Sequence, residues 1–182
     1  MEKLLHLSKI VRLKNNQEIL LRPLKPNDSL KEFFLSCSKE SIFYRFMSSA
    51  FYINVRKLAS SSLLTEYTNL DLDQHMSIVA VVEEDGEEKI IAEGRFFRAR
   101  PEIAEVALIT ADGWQRLGLA TYIGDFLKEI ALSRDIKYFE GDILVSNRKM
   151  LNVFRYLKIK YTRTLYYDSI HFRIILDDPY LE

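Results

Sequence analysis

From Met76 the chain writes three strand-like runs in succession, then a long amphipathic helix, then another strand, and this order limits what it can fold into. MSIVAVVEE and KIIAEGRFF alternate or run apolar over strand lengths and are joined by Glu-Asp-Gly-Glu-Glu, whose Asp85-Gly86 pair is a strong hairpin signal. A third run, Ile103 to Thr110, follows Pro101. A turn, ADGW, then leads into a predicted helix from Gln115 to Arg134, where Ile123, Leu127, Ile130 and Ala131 form the stripe of a helix packed on a sheet. A strand from Tyr138 to Val145 comes next, so at least one crossover must be parallel while the hairpins are antiparallel.

The flanks fit this frame. EILLRP, Glu18 to Pro23, reads as an opening strand, and helices are expected from Ser29 to about Cys37, over Ser38 to Phe46, and over Asn54 to Leu64. After Ser146 and Asn147 a helix is expected from about Arg148 to Leu157, and Tyr161–Tyr167 and Ile170–Leu176 form a terminal hairpin about Asp168-Ser169. The predicted architecture is mixed α/β (α+β): a central, mostly antiparallel sheet of about six to seven strands with helices on both faces. The 182 residues suit one domain, 18–182, behind a short N-terminal extension, 1–17.

Charge removes several function classes. Twenty-six Lys and Arg balance 26 Asp and Glu, so no global field draws the chain to nucleic acid or anionic lipid. MEKLLHLSKIVRLKNNQ mixes charge into its apolar residues, unlike a signal peptide, and no apolar run is long enough to span a bilayer. With a single cysteine, Cys37, the chain has no internal disulfide, and the reading is cytoplasmic. Cys37 itself is expected to be a small buried residue rather than a nucleophile. His6, His75 and His171 lack the spacing of a zinc site, so no metal is expected.

The stretch with chemical content is Glu105 to Ala120, EVALITADGWQRLGLA, which sets a strand, a turn and a helix start in line. The first N–H groups of a helix have no intrahelical partners and the helix dipole is positive there, so phosphate binds well. Small residues at Gly118 and Ala120 let the backbone of Gln115, Arg116, Leu117, Gly118, Leu119 and Ala120 approach a pyrophosphate closely. Arg116, with Arg148 or Lys149, would add charge locally although the chain is neutral.

This segment resembles the acetyl-CoA signature Q/R-x-x-G-x-G/A of the GNAT family, the Gcn5-related N-acetyltransferases. GDILVSNRKMLNVFRYL is similar to the family's next strand and helix, EILLRPLKPNDSLKEFF to its opening, and SIFYRF to an element of the branch of bacterial Pat-like protein-lysine acetyltransferases. The resemblance implies a GNAT fold, acetyl-CoA as cosubstrate, and direct transfer of the acetyl group to an amine. In that branch a glutamate matching Glu105 is the general base. Placed on a strand that is otherwise apolar beyond it, Glu105 is expected to be partly buried, which would favour proton acceptance. The resemblance further assigns main-chain groups of Leu108 and Ile109 to the pantetheine arm, Asn147 to the same arm, and Tyr44 and Arg45 to the acceptor entrance. Asn147 also suits an ordinary helix N-cap, and Arg45 an ordinary salt bridge beside a core Phe46.

Two positions depart from the family pattern. Phe154 stands where many members carry a tyrosine that protonates the leaving thiolate, a substitution shared with the Pat-like branch. Lys158-Ile159 replaces the usual Gly-Phe, which puts the turn before the last hairpin in question. The resemblance implies a protein lysine as acceptor, with an acyl-CoA synthetase as one possible partner, and a monomer or weak homodimer. A small-molecule amine, or a non-catalytic acyl-CoA-binding sensor, are the competing expectations.

Overall fold

The computed structural model describes residues 7–28, 30–47, 71, 74–156 and 159–177. The helix expected from Asn54 to Leu64, the residues Ser29 and Lys158, and His6 lie outside them. The described elements run β1 (Lys9–Arg12), β2 (Glu18–Pro23), α1 (Leu30–Ser36), α2 (Lys39–Phe46), β3 (His75–Glu84), β4 (Glu87–Arg100), β5 (Ile103–Thr110), a 3-10 turn (Asp112–Trp114), α3 (Leu119–Leu132), β6 (Tyr138–Leu144), α4 (Arg148–Tyr156), β7 (Tyr161–Tyr166) and β8 (Ser169–Ile175).

All eight strands form one sheet in the order β1-β2-β3-β4-β5-β6-β8-β7. Every neighbouring pair is antiparallel except β5 with β6. The mixed, mostly antiparallel sheet matches expectation, but it has eight strands rather than six or seven. The added one is β1, inside the segment expected to be a leading extension: Lys9–Arg12 pair with Glu18–Leu21, and Leu13 beyond them is buried. Interspersed charges hide this strand in the sequence, because Lys9, Ile10 and Arg12 all remain exposed.

Two faces of the sheet are covered by different helices. α3 buries Leu119, Ile123, Phe126, Leu127, Ile130 and Ala131 against β1–β5. Each of the large ones contributes about 1.5–3 kcal/mol of transfer free energy. On the opposite face Leu30, Phe33 and Phe34 of α1, Ile42 of α2 and Cys37 between the two helices pack over Val79, Val81, Ile90 and Ile109. A third cluster, Ile143, Phe154 and Phe172, seats α4 on the β6–β8 end, with Val106 touching both it and the α3 core.

The helix expected from Gln115 starts four residues later, at Leu119. The reason is local: Arg116 (φ 66°) and Gly118 (φ 100°) both take left-handed backbone, which a right-handed helix cannot contain. Gln115 to Gly118 therefore form a loop in front of the helix.

Candidate active site

β5 and β6 pair only through Ile103–Tyr138, Ala104–Phe139 and Glu105–Glu140, although both strands continue for several residues. Beyond Glu105 they part, leaving a V whose apex is the Glu105–Glu140 pair. Gly141 lies at this point: a Cβ there would stand 3.1 Å from the Val106 carbonyl oxygen and 2.7 Å from the Phe172 ring. The sequence thus carries no β-carbon one residue past the last β5–β6 pair, where a methyl would meet the Val106 carbonyl.

The open edge belongs to alternate residues of β5. The Ala111 N–H donates to Ile91 of β4, so the odd-numbered positions turn their main chain toward β4, and Val106, Leu108 and Thr110 turn theirs toward the V. Of the two residues expected to serve a pantetheine arm, Leu108 thus faces the opening. Ile109 instead pairs its backbone with Glu93 and buries its side chain beneath α1 and α2.

At the mouth of the V stands the Gln115–Ala120 loop. Among the described residues, the N–H groups of Arg116, Leu117, Gly118, Leu119 and Ala120 have no protein acceptor; the Thr121 N–H is the first to find one, the Gly118 carbonyl at 3.0 Å. Consecutive unsatisfied donors at a helix start form an anion-binding concavity. Gln115 does not contribute its side chain to that concavity, for its Nε2 donates to Ser41 Oγ (3.0 Å) and the Thr110 carbonyl (3.2 Å). Asp112 completes the anchorage. Its carboxylate accepts from the Ser38 N–H (2.6 Å), Ser38 Oγ (2.8 Å) and Ser41 Oγ (3.0 Å). Burial opposes its charge, but these hydrogen bonds and the Lys149 ammonium outweigh burial and hold the carboxyl below its ordinary value.

The other lip of the V is the β6–α4 turn. Asn147 Oδ1 accepts from the Met150 N–H at 3.1 Å, the ordinary N-cap, and its amide N–H2 group has no partner among the described residues. α2 reaches this lip too: Tyr44 Oη donates to the Ser146 carbonyl at 3.2 Å, and Lys149 pairs with Glu40 at 3.1 Å. Arg45, beside Tyr44, lies over the Phe46 ring at 4.9 Å.

Four glutamates, Glu93, Glu102, Glu105 and Glu140, lie on or beside β4–β6, and their surroundings separate them. Glu102 is paired with Lys137, and Glu93 is fully buried against Ser77 and Arg95. Glu140 is buried and bound by Arg173 and Arg100; burial raises its pKa, yet the two guanidiniums more than offset this and hold it in the charged form. Glu105 is exposed at the apex, not half-buried as expected, and has no hydrogen-bond or ionic partner among the described residues. The expectation missed because Glu105 turns toward the α1–α2 face at the point where the core beneath those helices has ended.

No family model matches the sequence. Over 141 residues it is 29% identical to an acetyltransferase of Pseudomonas aeruginosa, which spans 76% of this chain and 73% of that protein. The structure superposes on the GNAT domain of S. lividans PAT with a TM-score of 0.74 at 24% identity, covering 93% of this chain and 97% of that domain. The chain has the GNAT fold. The PaiA N-acetyltransferase of Thermoplasma acidophilum, solved in complex with coenzyme A, shares the GNAT fold at a TM-score of 0.66 and 12% identity, over 87% and 99% of the two chains. The two structures bear out the expected GNAT fold, and the Pseudomonas relative is an acetyltransferase, in line with the expected activity.

On this fold Phe154 is a core residue. Its ring meets Tyr161 and Phe172 edge-on, both at 5.0 Å, and carries no group that could donate a proton. Cys37 is likewise core; burial first, and then Asp112, push its thiol up to about 12, so it holds no thiolate at neutral pH. Of the other histidines, His75 stacks on Phe97 and His171 sits 3.2 Å from Asp142, and no metal-binding cluster occurs among the described residues. No described helix is long and apolar enough to cross a membrane. Sequence reasoning missed Asp112 and the Ser38–Ser41 pair as anchors of the loop. The signal was present, since Ser38 is an evident N-cap and Asp112 opens a turn, but their meeting is 74 residues apart in the chain.

Proposed function

We propose that this protein transfers the acetyl group of acetyl-CoA to the ε-amine of a protein lysine, with Glu105 as general base. The observation that carries the reading is Glu105 itself: a carboxylate without a partner among the described residues, at the apex of the V, one residue before the edge of β5 opens. The coenzyme A bound to the Thermoplasma relative supports the donor, and the likeness to the S. lividans PAT domain supports the acceptor class.

The residues fit such a donor. The open edge of Val106, Leu108 and Thr110 suits an amide-bearing arm added as a strand, and the free N–H groups of Arg116 to Ala120 suit its pyrophosphate. Asn147 offers its amide to the same arm from the opposite lip. Acetyl-CoA supplies the acyl group already activated as a thioester.

A lysine amine has a pKa near ~10.4 and must lose a proton to become a nucleophile. Glu105 accepts that proton and releases it to solvent, for which its exposure suits it. An N–H on the open edge, that of Leu108, is oriented to stabilise negative charge developing on the carbonyl oxygen. Phe154 gives no proton, so the departing thiolate is protonated by water.

The test is Glu105→Gln, which keeps size and polarity and removes the base. Acetyl-CoA affinity measured by calorimetry should be unchanged, while kcat at neutral pH falls by about 10²–10⁴. Full activity in a folded variant with normal acetyl-CoA binding would sink the base assignment.

A further inference from the structure

Strand register sets one residue from each of six neighbouring strands in a single row across the α1–α2 face: His75, Phe97, Glu105, Glu140, Arg173 and Thr162. The face is fixed by parity, because Val79 of β3 and Ile109 of β5, at even spacing from His75 and Glu105, lie in the core beneath α1 and α2. Glu105, the base in the reading above, stands inside the row with different chemistry on either side.

On one side is an aromatic shelf. The His75 and Phe97 rings stack at 4.6 Å with an interplanar angle of 30°, and Phe97 is 43% exposed, unusual for a phenylalanine in the middle of a sheet. On the other side is an excess of positive charge. Glu140 gives one oxygen to Arg173 and the other to Arg100, so two guanidiniums surround one carboxylate. Their side chains are 55% (Arg100) and 42% (Arg173) exposed, whereas that of Glu140 is 4%. The carboxylate is enclosed, while both guanidinium side chains remain largely open to solvent.

We propose that this row reads the acceptor: the His75–Phe97 shelf receives the aliphatic stem of a lysine, Glu105 its amine, and Arg100 with Arg173 a carboxylate carried next to that lysine. The proposal deepens the protein-lysine reading and rests on it. Two strand spacings, about 9–10 Å, separate Glu105 from Arg173 along the row, a distance that an acidic residue one or two positions from the lysine can span. A second cation at that place would meet guanidiniums instead, so polyamines and lysine-rich segments are disfavoured by like charge.

The experiment measures kcat/KM on three short peptides that differ only beside one lysine, Glu-Lys-Glu, Gln-Lys-Gln and Lys-Lys-Lys, with spermidine as a fourth substrate. The expected order is acidic, neutral, basic, with about tenfold or more between the first and third, shrinking as salt is raised. Arg100→Gln leaves Glu140 its Arg173 partner, and should bring the acidic-to-neutral ratio close to one. Phe97→Ala should raise KM for all the peptides by a similar factor while leaving their order intact. Acetylation of all three peptides at equal kcat/KM, or an Arg100→Gln ratio equal to that of the parent in a variant that melts normally, would overturn the acceptor row and leave the lysine reading standing. Acetylation of spermidine with none of the peptides would overturn both.

Discussion

Gly118→Ala isolates the part of the site that depends on backbone conformation alone. Gly118 sits at φ 100°, and the nearest atom to a Cβ built there is Tyr122 Cε2 at 3.6 Å, so an alanine would fit sterically but be strained in its own backbone. Holding an L-residue in left-handed backbone costs about 1–2 kcal/mol. The reduced freedom of the unfolded chain returns about 0.4–1 kcal/mol of that. The net loss is about 1 kcal/mol, a fall in melting temperature of about 2–4 °C for a chain of this length. If the loop relaxes to escape the strain, the N–H groups of Arg116 to Ala120 lose their common aim. One hydrogen bond to a charged phosphate, about 1.5–3 kcal/mol, then disappears from the complex, and the acetyl-CoA Kd rises roughly ten- to hundredfold. Scanning calorimetry and a titration with acetyl-CoA read the two effects. Gly118→Asn, which tolerates left-handed backbone better, should lie between parent and alanine. Gly113→Ala, three residues before Arg116 with nothing within 4 Å of its Cβ and no positive φ, is the control and should change neither. Parental melting temperature and parental Kd in Gly118→Ala would refute the argument that this loop is held open by its glycine.

Other outcomes follow from the same contacts. Gly141→Ala drives a methyl against the Phe172 ring and the Val106 carbonyl, and should cost about 1–3 kcal/mol in chemical denaturation by forcing β6 and β5 apart. Asp112→Asn removes the charge that the Ser38 N–H and two hydroxyls grip, and should weaken acetyl-CoA binding through the loop, seen as a higher KM with little change in kcat. Asp112 and Glu140 are both held below their ordinary values, so the unfolded chain binds more protons than the folded one as pH falls. Their contribution is complete above the ordinary carboxyl range, about pH 4–5, and is lost below it as the folded groups protonate; Glu140→Gln should flatten the acid limb of a stability–pH curve. Cys37, buried with its thiol at about 12, should resist Ellman's reagent in the native protein near neutral pH and react fully only after unfolding.

Strands β3 to β6 and helix α3 were legible because each carries a period or a turn that only one element satisfies: alternation into Asp85-Gly86, and the Ile123–Leu127–Ile130 stripe. β1 was not, since Lys9, Ile10 and Arg12 are exposed on an edge strand and leave no apolar rhythm. The loop before α3 stands out in the sequence by its small residues, but its extent does not, because left-handed backbone at Arg116 has no signature in an arginine. Glu105 was singled out by resemblance; its exposure was not foreseeable, as it depends on where the helices of the opposite face end. The cross-sheet row lay beyond reach altogether, for it requires the register of six strands, three of whose pairings bring together residues more than 20 positions apart in the chain.

α2 holds Asp112 on one lip of the V through Ser38 and Ser41, and Ser146 and Lys149 on the other through Tyr44 and Glu40. An eight-residue helix therefore acts as a crossbar between two loops that no strand pairing connects. A crossbar fixes the gap before any ligand arrives, so little ordering entropy remains to be lost on binding. It also makes the gap a shared coordinate: a load on α2 changes the width felt by whatever occupies the V. Cutting the bar on one side, by Tyr44→Phe with Glu40→Gln, should loosen both substrates together rather than one alone.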